Sequence, residues 1–364
     1  MIGLGGRAVP EGKVAVLYGR LPPDPSKDEL DVLVEVRTVS DALKVLGYET
    51  VEVSLSLNLE EGAAALSDMA PSFVFNLVES LDGREKLLHL APALLDSLKI
   101  PYTGASTEAM FLASNKLIAK SILMREHIPT PYLVYPEEPD RQEPEGRDRR
   151  PPPPYIIKPV WGSASIDLND SSIIASCRAF EETKRGRQVE LSAGELYIES
   201  FVEGRELNIA VLDGPSGPTL LPPSEILFVD YPPEKARIVG YEAKWDESSF
   251  EFSHTPRSFD FPVEDDLLID GLKETALACW RLFDLSGYAR FDFRVDREGR
   301  PWLLEINPNP CLSPDAGFMA AAARAKLDTT AVIGLIIEGM GSRGRSIKGR
   351  AGRQDGCGGE EKSR

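Results

Sequence analysis

The sequence has few residues of the types that most often carry covalent or metal chemistry. Among its 364 residues are three histidines, which do not cluster, and four cysteines, which form no CxxC pair. This scarcity argues against zinc sites built from histidine, Ser-His-Asp catalysis and a disulfide framework. Cysteine usage of this kind is typical of a reducing compartment. The sequence therefore predicts a cytoplasmic protein.

Long apolar runs are also missing. The longest run near the C-terminus, residues 331–337, is much shorter than the roughly 20 residues that a membrane span needs. The first residues lack the apolar core of a secretory signal peptide. No GxxxxGK[ST] motif occurs, which excludes a P-loop. We therefore expect no membrane partner.

What the chain has in excess is negative charge. It contains 41 Lys and Arg residues against 58 Asp and Glu residues, a net charge of −17. A body this acidic repels nucleic-acid phosphates at long range, so the sequence predicts no nucleic-acid partner. An anionic small ligand would need a local cationic pocket.

Apolar periodicity predicts two kinds of architecture. In the first hundred residues, strands alternate with helices, which indicates a parallel α/β sheet; later strands come in runs, which is typical of α+β structure. We predict strands at residues 13–18, 50–55, 73–77, 155–159, 195–201, 206–212, 287–295 and 301–306, and helices at 29–47, 85–98, 116–127, 264–283 and 315–338.

These patterns predict an order of domains along the chain. An N-terminal α/β substrate domain spans residues 1–103, a central subdomain 104–212 and a C-terminal subdomain 213–340. Residues 136–154 hold seven prolines and ten charges in nineteen positions, which predicts a solvated, extended loop. Residues 341–364 have almost no apolar content and are predicted to be a disordered tail.

Two neighbouring segments have the period-2 alternation of β-strands. In one, Arg290 and Asp292 share a face; in the other, Glu305 and Asn307 do. The residues between them predict a hairpin with a four-residue loop in which Gly299 supplies a positive φ. Antiparallel pairing then sets Asp292 opposite Glu305 and Arg290 opposite Asn307.

Two carboxylates directly opposite each other destabilise a strand pair unless a cation between them neutralises the repulsion. We therefore expect a divalent cation at Asp292 and Glu305. Carboxylate and Asn carbonyl oxygens are hard ligands suited to Mg²⁺ shared with substrate phosphates, which makes Asn307 a third candidate ligand. The alternative is an exposed hairpin with scattered charges, and the apolar neighbours and the NPNP run argue against it.

The segments Arg290-Phe-Asp292 and Leu-Leu-Glu305-Ile-Asn307-Pro-Asn-Pro resemble the metal-binding end of the ATP-grasp ligases, in particular the D-alanine–D-alanine ligase family. The resemblance extends over residues 13–340. Further matching segments are Pro101-Tyr-Thr-Gly104, Asn115-Lys116-Leu, Tyr155-Ile-Ile-Lys158-Pro159, Leu196-Tyr-Ile-Glu199, Glu203-Gly-Arg-Glu206-Leu and Tyr241-Glu-Ala-Lys244. Each motif is short, but their order and spacing together are specific.

The resemblance implies an ATP-grasp fold, of class α/β and α+β, in which the N-terminal parallel-sheet domain precedes two ATP-grasp subdomains. It implies an ATP-dependent carboxylate–amine ligase that forms a peptide bond through an acyl phosphate. It also implies ATP and two Mg²⁺ ions, with Mn²⁺ as a substitute, and amino-acid or peptide substrates. Family members commonly dimerise, so a homodimer is expected. The rival hypothesis is a non-catalytic, regulatory ATP-binding protein.

Carried over residue by residue, the resemblance implies a role for each matching side chain. Lys244 would come from a lid loop over the γ-phosphate, and Arg290 would stabilise the oxyanion of the tetrahedral intermediate. The implied ATP contacts are Lys116 and Lys158 on the phosphates, Ser165 in the loop above them, Glu199 near the adenine, Glu206 on the ribose, and Phe201 and Val202. Without the resemblance, a surface charge remains an alternative for Lys116, which lies on a predicted helix face.

The substrate end departs from the family pattern. Ala164 stands where the first of two adjacent serines is expected, Trp245 replaces the Tyr after the lid lysine, and Cys311 replaces a Gly. Asp315 lies in the segment that replaces the Ser-Leu receiving the second substrate's carboxylate. We expect Cys311 to fill a glycine position; a nucleophile is the alternative.

Three further acids are weak substrate candidates. Asp28 and Glu29 lie in the segment that replaces the family's Gly-rich loop, and either could bind an ammonium group or simply complement a helix dipole. Glu79 lies where the family has a histidine. Losing hydroxyls and gaining acids should change which amino acids fit. The sequence therefore predicts intact ATP and metal machinery with altered substrate pockets.

Overall fold

The computed structural model describes residues 12–135, 152–162, 165 and 168–340. Its first part is the predicted parallel sheet, with strand order β2-β1-β3. Apolar side chains of β1 fill both faces, as in a strand covered on two sides. The elements are β1 (Lys13–Gly19), α1 (Lys27–Val45), β2 (Glu49–Leu55), α2 (Leu59–Met69), β3 (Phe73–Asn76) and α3 (Leu90–Leu98).

The helix predicted over residues 85–98 is wrong in its first part. A 3₁₀ turn at Glu85–Leu87 precedes α3. Pro92 explains the late start, because a proline inside a longer helix would clash with the carbonyl four residues earlier, whereas the first turn of α3 tolerates it. The turn directs Glu85 toward the centre of the molecule, as described below.

A second, antiparallel sheet follows, with strand order β4-β7-β5-β6. The side chain of Asn115 accepts a hydrogen bond from the backbone N–H of Ile118 and so caps α5, which makes Lys116 its first residue. The elements are α4 (Thr107–Ser114), α5 (Lys116–Arg125), β4 (Leu133–Val134), β5 (Tyr155–Pro159), β6 (Ile173–Ile174), α6 (Cys177–Gly186), α7 (Gln188–Ser192) and β7 (Leu196–Ser200).

The third sheet is antiparallel, with strand order β11-β10-β8-β12-β13 and β9 paired to β8. The elements are β8 (Gly204–Leu212), β9 (Thr219–Leu220), β10 (Ser224–Ile226), α8 (Tyr241–Trp245), α9 (Phe250–His254), β11 (Arg257–Ser258), α10 (Asp266–Leu282), β12 (Tyr288–Asp296), β13 (Pro301–Asn307), α11 (Gly317–Arg324) and α12 (Thr329–Gly339).

The structure divides one predicted helix into two helices. The segment 315–338 breaks after α11, where Lys326 takes a positive φ of 64°. The side chain of Asp328 then accepts a hydrogen bond from the N–H of Ala331 at 2.8 Å and starts α12. Asp328 thus acts as a helix start signal inside an otherwise continuous apolar pattern.

The core explains which side of β12 is functional. Phe291 and Phe293 are buried in one cluster with the apolar face of α10. Burial of each ring favours this orientation by about 1.5–3 kcal/mol. Because side chains alternate across a strand, Arg290, Asp292 and Arg294 must lie on the opposite face. Residues 136–151 of the predicted Pro-rich loop and the predicted tail at 341–364 lie outside the described residues.

Within the described part of the chain, no helix is both long and apolar enough to span a bilayer.

Candidate active site

The two carboxylates predicted to oppose each other do so. Antiparallel pairing of β12 with β13 sets Asp292 opposite Glu305 and Arg290 opposite Asn307. Asp292 and Asn307 are buried, while the side chain of Glu305 is 22% exposed. The pairing places two carboxylates, one guanidinium and one carboxamide together on the face away from the aromatic core.

The hairpin loop differs from the prediction. The N–H of Asp296 donates to the carbonyl of Arg300 at 3.0 Å, which leaves three loop residues instead of four. The carboxylate of Asp296 accepts from the N–H groups of Glu298 and Arg300 at 3.1 and 2.9 Å and so organises the tighter turn. Gly299 has the predicted positive φ, 79°.

A β-bulge restores the predicted pairing at the site. Val295 pairs with Pro301, one residue out of the predicted register, and the ladder shifts between Asp292 and Phe293. The extra residue, Leu304, has no partner across the ladder. Beyond the bulge, the register brings Asp292 and Glu305 together.

Asp292 is held by two neighbours. Arg290 donates to its two carboxylate oxygens at 2.8 Å each, and the side-chain amide of Asn208 on β8 donates to Oδ1 at 2.7 Å. Burial by itself would raise the pKa of Asp292, but Arg290, followed by Lys244 and Asn208, outweighs burial and holds that pKa below its ordinary value. Asp292 is therefore a carboxylate at neutral pH.

Lys116 faces the second carboxylate. Its Nζ lies 3.7 Å from Oε2 of Glu305 and donates a hydrogen bond to the carbonyl oxygen of Gly162. Lys116 is 7% exposed, so the surface-charge alternative is wrong. Together with Asn307 and Glu79 these groups line a cavity of about 40 Å³.

Glu85 belongs to the same cavity and was not identified from the sequence. The carboxylate of Glu85 packs so closely on Gly162 that a side chain at position 162 would displace it. Burial raises the pKa of Glu85, and Lys116 opposes this effect. No pattern around Glu85 distinguished it from an ordinary residue of the predicted leucine-rich helix.

Glu199 is enclosed by two lysines. Its oxygens lie 2.8 Å from Nζ of Lys158 and 2.7 Å from Nζ of Lys120, and its side chain is 1% exposed. Burial favours the neutral acid, yet the two ammonium groups outweigh it and lower the pKa of Glu199. Sequence reasoning missed Lys120, whose one signal is its position four residues after Lys116 on the same helix face.

Glu206 forms an ion pair of 2.7 Å with Arg294, the third polar residue of β12. The guanidinium of Arg294 also lies over the ring of Phe201, 5.9 Å from its centroid. Val202 follows Phe201 in the connection between β7 and β8 and is half-buried. Ser165 has a positive φ of 59°, and Ala164 lies outside the described residues.

The segment carrying Lys244 closes over the site. Lys244 lies within electrostatic range of Arg290, Glu305 and Asp292, and burial together with Arg290 lowers its pKa. In the same short helix, the hydroxyl of Tyr241 donates to Oδ1 of Asp28 at 2.9 Å. The predicted lid therefore contacts the N-terminal helix α1.

The weak substrate candidates separate into two groups. Asp28 and Glu79 face the site, whereas the carboxylate of Glu29 accepts hydrogen bonds from Ser26 N and Oγ at 2.8 and 3.0 Å. Glu29 is thus a helix-capping residue, the alternative considered for it above. Trp245 is half-buried at the end of α8.

Three residues lie at the predicted acceptor end. Asp315 is exposed, and it interacts electrostatically with Arg257 on β11. The guanidinium of Arg257, which no sequence motif singled out, lies beside Gly317 at the start of α11. Cys311 donates to Oδ2 of Asp31 at 3.1 Å, and burial raises the pKa of its thiol. A thiol that stays protonated is a poor nucleophile, which favours the small-residue interpretation of Cys311.

Glu79 should make stability depend on pH. Burial, with Glu85, Asp31 and Asp28, raises the pKa of Glu79 to about 8. Between the ordinary pKa of 4.5 and about 8, the folded state holds a proton that the unfolded state has lost, so stability falls as pH rises. We expect the fall in unfolding temperature of the ligand-free protein from pH 5 to 8 to be smaller in Glu79→Gln. Parallel curves for the two proteins would contradict this assignment.

Comparisons with known proteins agree with this geometry. The family described as "D-ala D-ala ligase C-terminus" matches residues 153–338, just over half of the chain. The D-alanine–D-alanine ligase of Gloeobacter violaceus is 28% identical over 330 residues, covering 90% of this chain and 98% of that protein. The ligase of the same name from Aquifex aeolicus is 29% identical over 303 residues, covering 83% and 92%.

Solved structures match the fold as a whole. The D-alanine–D-alanine ligase from Bacillus anthracis complexed with ATP has a TM-score of 0.65 at 21% identity, covering 93% of this chain and 99% of that one. The corresponding ligase from Coxiella burnetii has a TM-score of 0.62 at 17% identity, covering 93% and 96%. The ATP-grasp fold expected from the motifs is thereby confirmed. With the family match over residues 153–338, the chain belongs to the D-alanine–D-alanine ligase family and is an ATP-dependent carboxylate–amine ligase.

Proposed function

We propose that this chain joins two amino acids, or an amino acid and a peptide, through an acyl phosphate formed from ATP. The observation that carries the proposal is the opposed pair Asp292 and Glu305, surrounded by the cations Lys116, Lys244 and Arg290. Its relatives named D-alanine–D-alanine ligase make D-alanine the first substrate to test.

The residues at the hairpin fit Mg²⁺. Asp292 is ionised, and it faces Glu305 directly across the strand pair, with the carboxamide of Asn307 two residues on. Among the described residues, no three His, Cys, Asp or Glu side chains converge on one point, so phosphate oxygens of ATP would complete the coordination. We assign Asp292, Glu305 and Asn307 as ligands of two Mg²⁺ ions; Mn²⁺ is an alternative. Bound there, the metal supplies Lewis-acid stabilisation of charge on the transferred phosphoryl group.

Residues of the chain itself supply the remaining positive charge. Lys120 and Lys158 together outweigh the single charge of Glu199, which leaves a net positive charge where α5, β5 and β7 meet, available to the phosphates. In this arrangement Glu199 orients Lys158, a role in addition to the implied adenine contact. Lys244 covers the site from the lid, and Lys116 approaches it from the start of α5. Ser165, Phe201, Val202 and Glu206 complete the proposed ATP pocket.

Arg290 is proposed to act at the second step. When the amine attacks the acyl phosphate, negative charge develops on the tetrahedral oxygen. Arg290 is anchored on Asp292 through two hydrogen bonds of 2.8 Å, so its guanidinium needs little reorganisation to face that charge. A pre-oriented donor of this kind contributes about 10²–10³-fold to a rate.

The function is tested by phosphate release from Mg-ATP with a panel of D- and L-amino acids, singly and in pairs, and by the masses of the products. We expect release that depends on both an amino acid and Mg²⁺ and that EDTA abolishes. Tight ATP binding without stimulation by any amino acid would favour the non-catalytic alternative. The cytoplasmic location and the homodimer stay predictions; cell fractionation and light scattering would test them.

A further inference from the structure

Helix α1 presents three carboxylates to the substrate end of the site. Asp28, Asp31 and Glu35 are spaced by three and four residues, so they lie on one helix face. Asp31 accepts hydrogen bonds from Ser313 Oγ at 3.0 Å and from Cys311 Sγ at 3.1 Å. The helix face is thereby fixed against the segment that follows the metal-side strand β13.

One carboxyl oxygen of Glu35 receives no hydrogen bond from the described residues, and burial together with Glu79 raises the pKa of this side chain. Its Oε1 accepts from the N–H of Leu312 at 2.7 Å, but its Oε2 is buried and has no hydrogen-bond partner among the described residues. The side chain is 2% exposed, and its charged neighbours are Glu79 and Asp31. A buried carboxyl oxygen without a donor costs free energy that a ligand's donor would recover.

Glu79 connects this cluster with the reaction centre. It lines the cavity shared by Lys116 and Asn307. Burial raises the pKa of Glu79 most, and the nearby acids Glu85, Asp31 and Asp28 raise it further. Lys244 lowers it. Glu79 therefore links the acidic residues of α1 to the cavity that Lys116 lines.

An occupant that brings positive charge and hydrogen-bond donors would allow the acids of this cluster to ionise. Closely spaced buried carboxylates are stable only if they are protonated or paired. No metal-ligand arrangement of three or more His, Cys, Asp or Glu side chains occurs in the described part of the chain. An α-ammonium group carries one charge and would be satisfied by one or two carboxylates, which leaves the rest of the cluster for a second cation on the same substrate.

We propose that the substrate pocket selects an amino acid with a cationic side chain, an ammonium or a guanidinium, bound between Glu79, Asp31 and Glu35. The α-ammonium would lie toward Asp28, which Tyr241 of the lid contacts. This inference rests on the proposed ligase function and narrows it to a substrate class. It also accounts for the acidic residues that replace the family's usual substrate contacts.

The test compares basic amino acids (ornithine, lysine and arginine, both enantiomers) with alanine and with norleucine, an uncharged side chain of similar length. Amino-acid-dependent phosphate release from Mg-ATP is measured at several amino-acid concentrations. We expect kcat/KM for at least one basic amino acid to exceed that for norleucine by about 100-fold, since a polar site rejects an analogue that leaves its groups unpaired. Asp31→Asn and Glu79→Gln should each reduce this ratio by about 10-fold, mainly through KM for the basic substrate.

Asp41→Asn is the matched control, because Asp41 lies on the exposed side of α1 and pairs with Lys44. It should leave the ratio unchanged. Equal or better turnover of alanine or norleucine by the wild type overturns the inference and leaves the ligase function standing. Failure of every amino acid to stimulate phosphate release overturns both. The wild-type ratio decides between these outcomes even if the variants fold poorly.

Discussion

Glu305→Gln is expected to lower amino-acid-dependent phosphate release by about 10³-fold while the protein stays folded. The change removes one of two opposed carboxylates and with it a metal contact worth several kcal/mol, which at 1.4 kcal/mol per factor of ten gives this magnitude. Folding should survive because Glu305 is 22% exposed and because removing a like charge opposite Asp292 relieves repulsion. Steady-state kinetics with varied Mg²⁺ would measure the effect.

A matched substitution separates the site from the hairpin that carries it. Glu298 lies in the turn of the same hairpin, 65% exposed and paired only with the exposed Arg300 in the described structure. Glu298→Gln makes the same chemical change and should leave activity within about twofold, since exposed pairs contribute little. Equal losses in the two variants would show that the hairpin tolerates no charge change. Unchanged activity in Glu305→Gln would refute the metal assignment.

Glu199→Gln is expected to destabilise the protein by about 3–5 kcal/mol. Its carboxylate lies 2.7 and 2.8 Å from two lysines, and Lys120 and Glu199 are both 1% exposed. Removing the negative charge leaves two buried ammonium groups facing each other, the costly way to break a buried pair. Urea unfolding without ATP measures this loss. Glu203→Gln is the control, because Glu203 pairs with Arg297 at the surface and should show no comparable shift.

The contacts of Glu199 with its two lysines also predict that the stability of the protein falls in acid. Because the lysines lower the pKa of Glu199, its contribution is complete above the ordinary value of 4.5 and is lost as pH falls below it. Glu79 acts in the opposite direction, because its raised pKa removes stability as pH rises toward about 8. These two groups together should therefore place the maximum of wild-type stability near pH 4.5, and Glu199→Gln should flatten the acid side of the profile.

What the sequence could predict depended on local periodicity. The alternation around Asp292 and Glu305, with a turn signal between them, was sufficient for their pairing. It was not sufficient for the turn itself, since the length of the loop is decided by hydrogen bonds that the carboxylate of Asp296 accepts from Glu298 and Arg300, and a bulge at Leu304 compensates. The loop is one residue shorter than predicted, and the bulge adds one residue that was not predicted. The two differences cancel, so Asp292 lies opposite Glu305 as predicted.

The missed residues depend on contacts between distant segments. Lys120, Glu85 and Glu35 occupy ordinary positions in helical or turn patterns, and only the packing of one segment on another makes them neighbours of the site. A lysine on a helix is usually solvated, so Lys120 became interesting only with Glu199 beside it. Helix capping involves residues only three positions apart, such as Ser26 and Glu29. The sequence alone was therefore enough to state a helix-end role as the alternative for Glu29.

The bulge at Leu304 has a consequence for how this enzyme can vary. Because β-strand side chains alternate with a period of two, the bulge sets the phase of everything after it. Deleting Leu304 would leave Phe293 opposite Leu303 and Asp292 opposite Glu305 in a regular ladder, whereas adding or deleting one residue between Glu305 and Asn307 would turn Asn307 toward the aromatic core. Substitutions can therefore tune this strand gradually, whereas a change of one residue in the length of the segment 305–307 reverses the face on which Asn307 lies. We expect related ligases to differ freely in the turn at 297–299 but to keep the residue count from the bulge to Asn307.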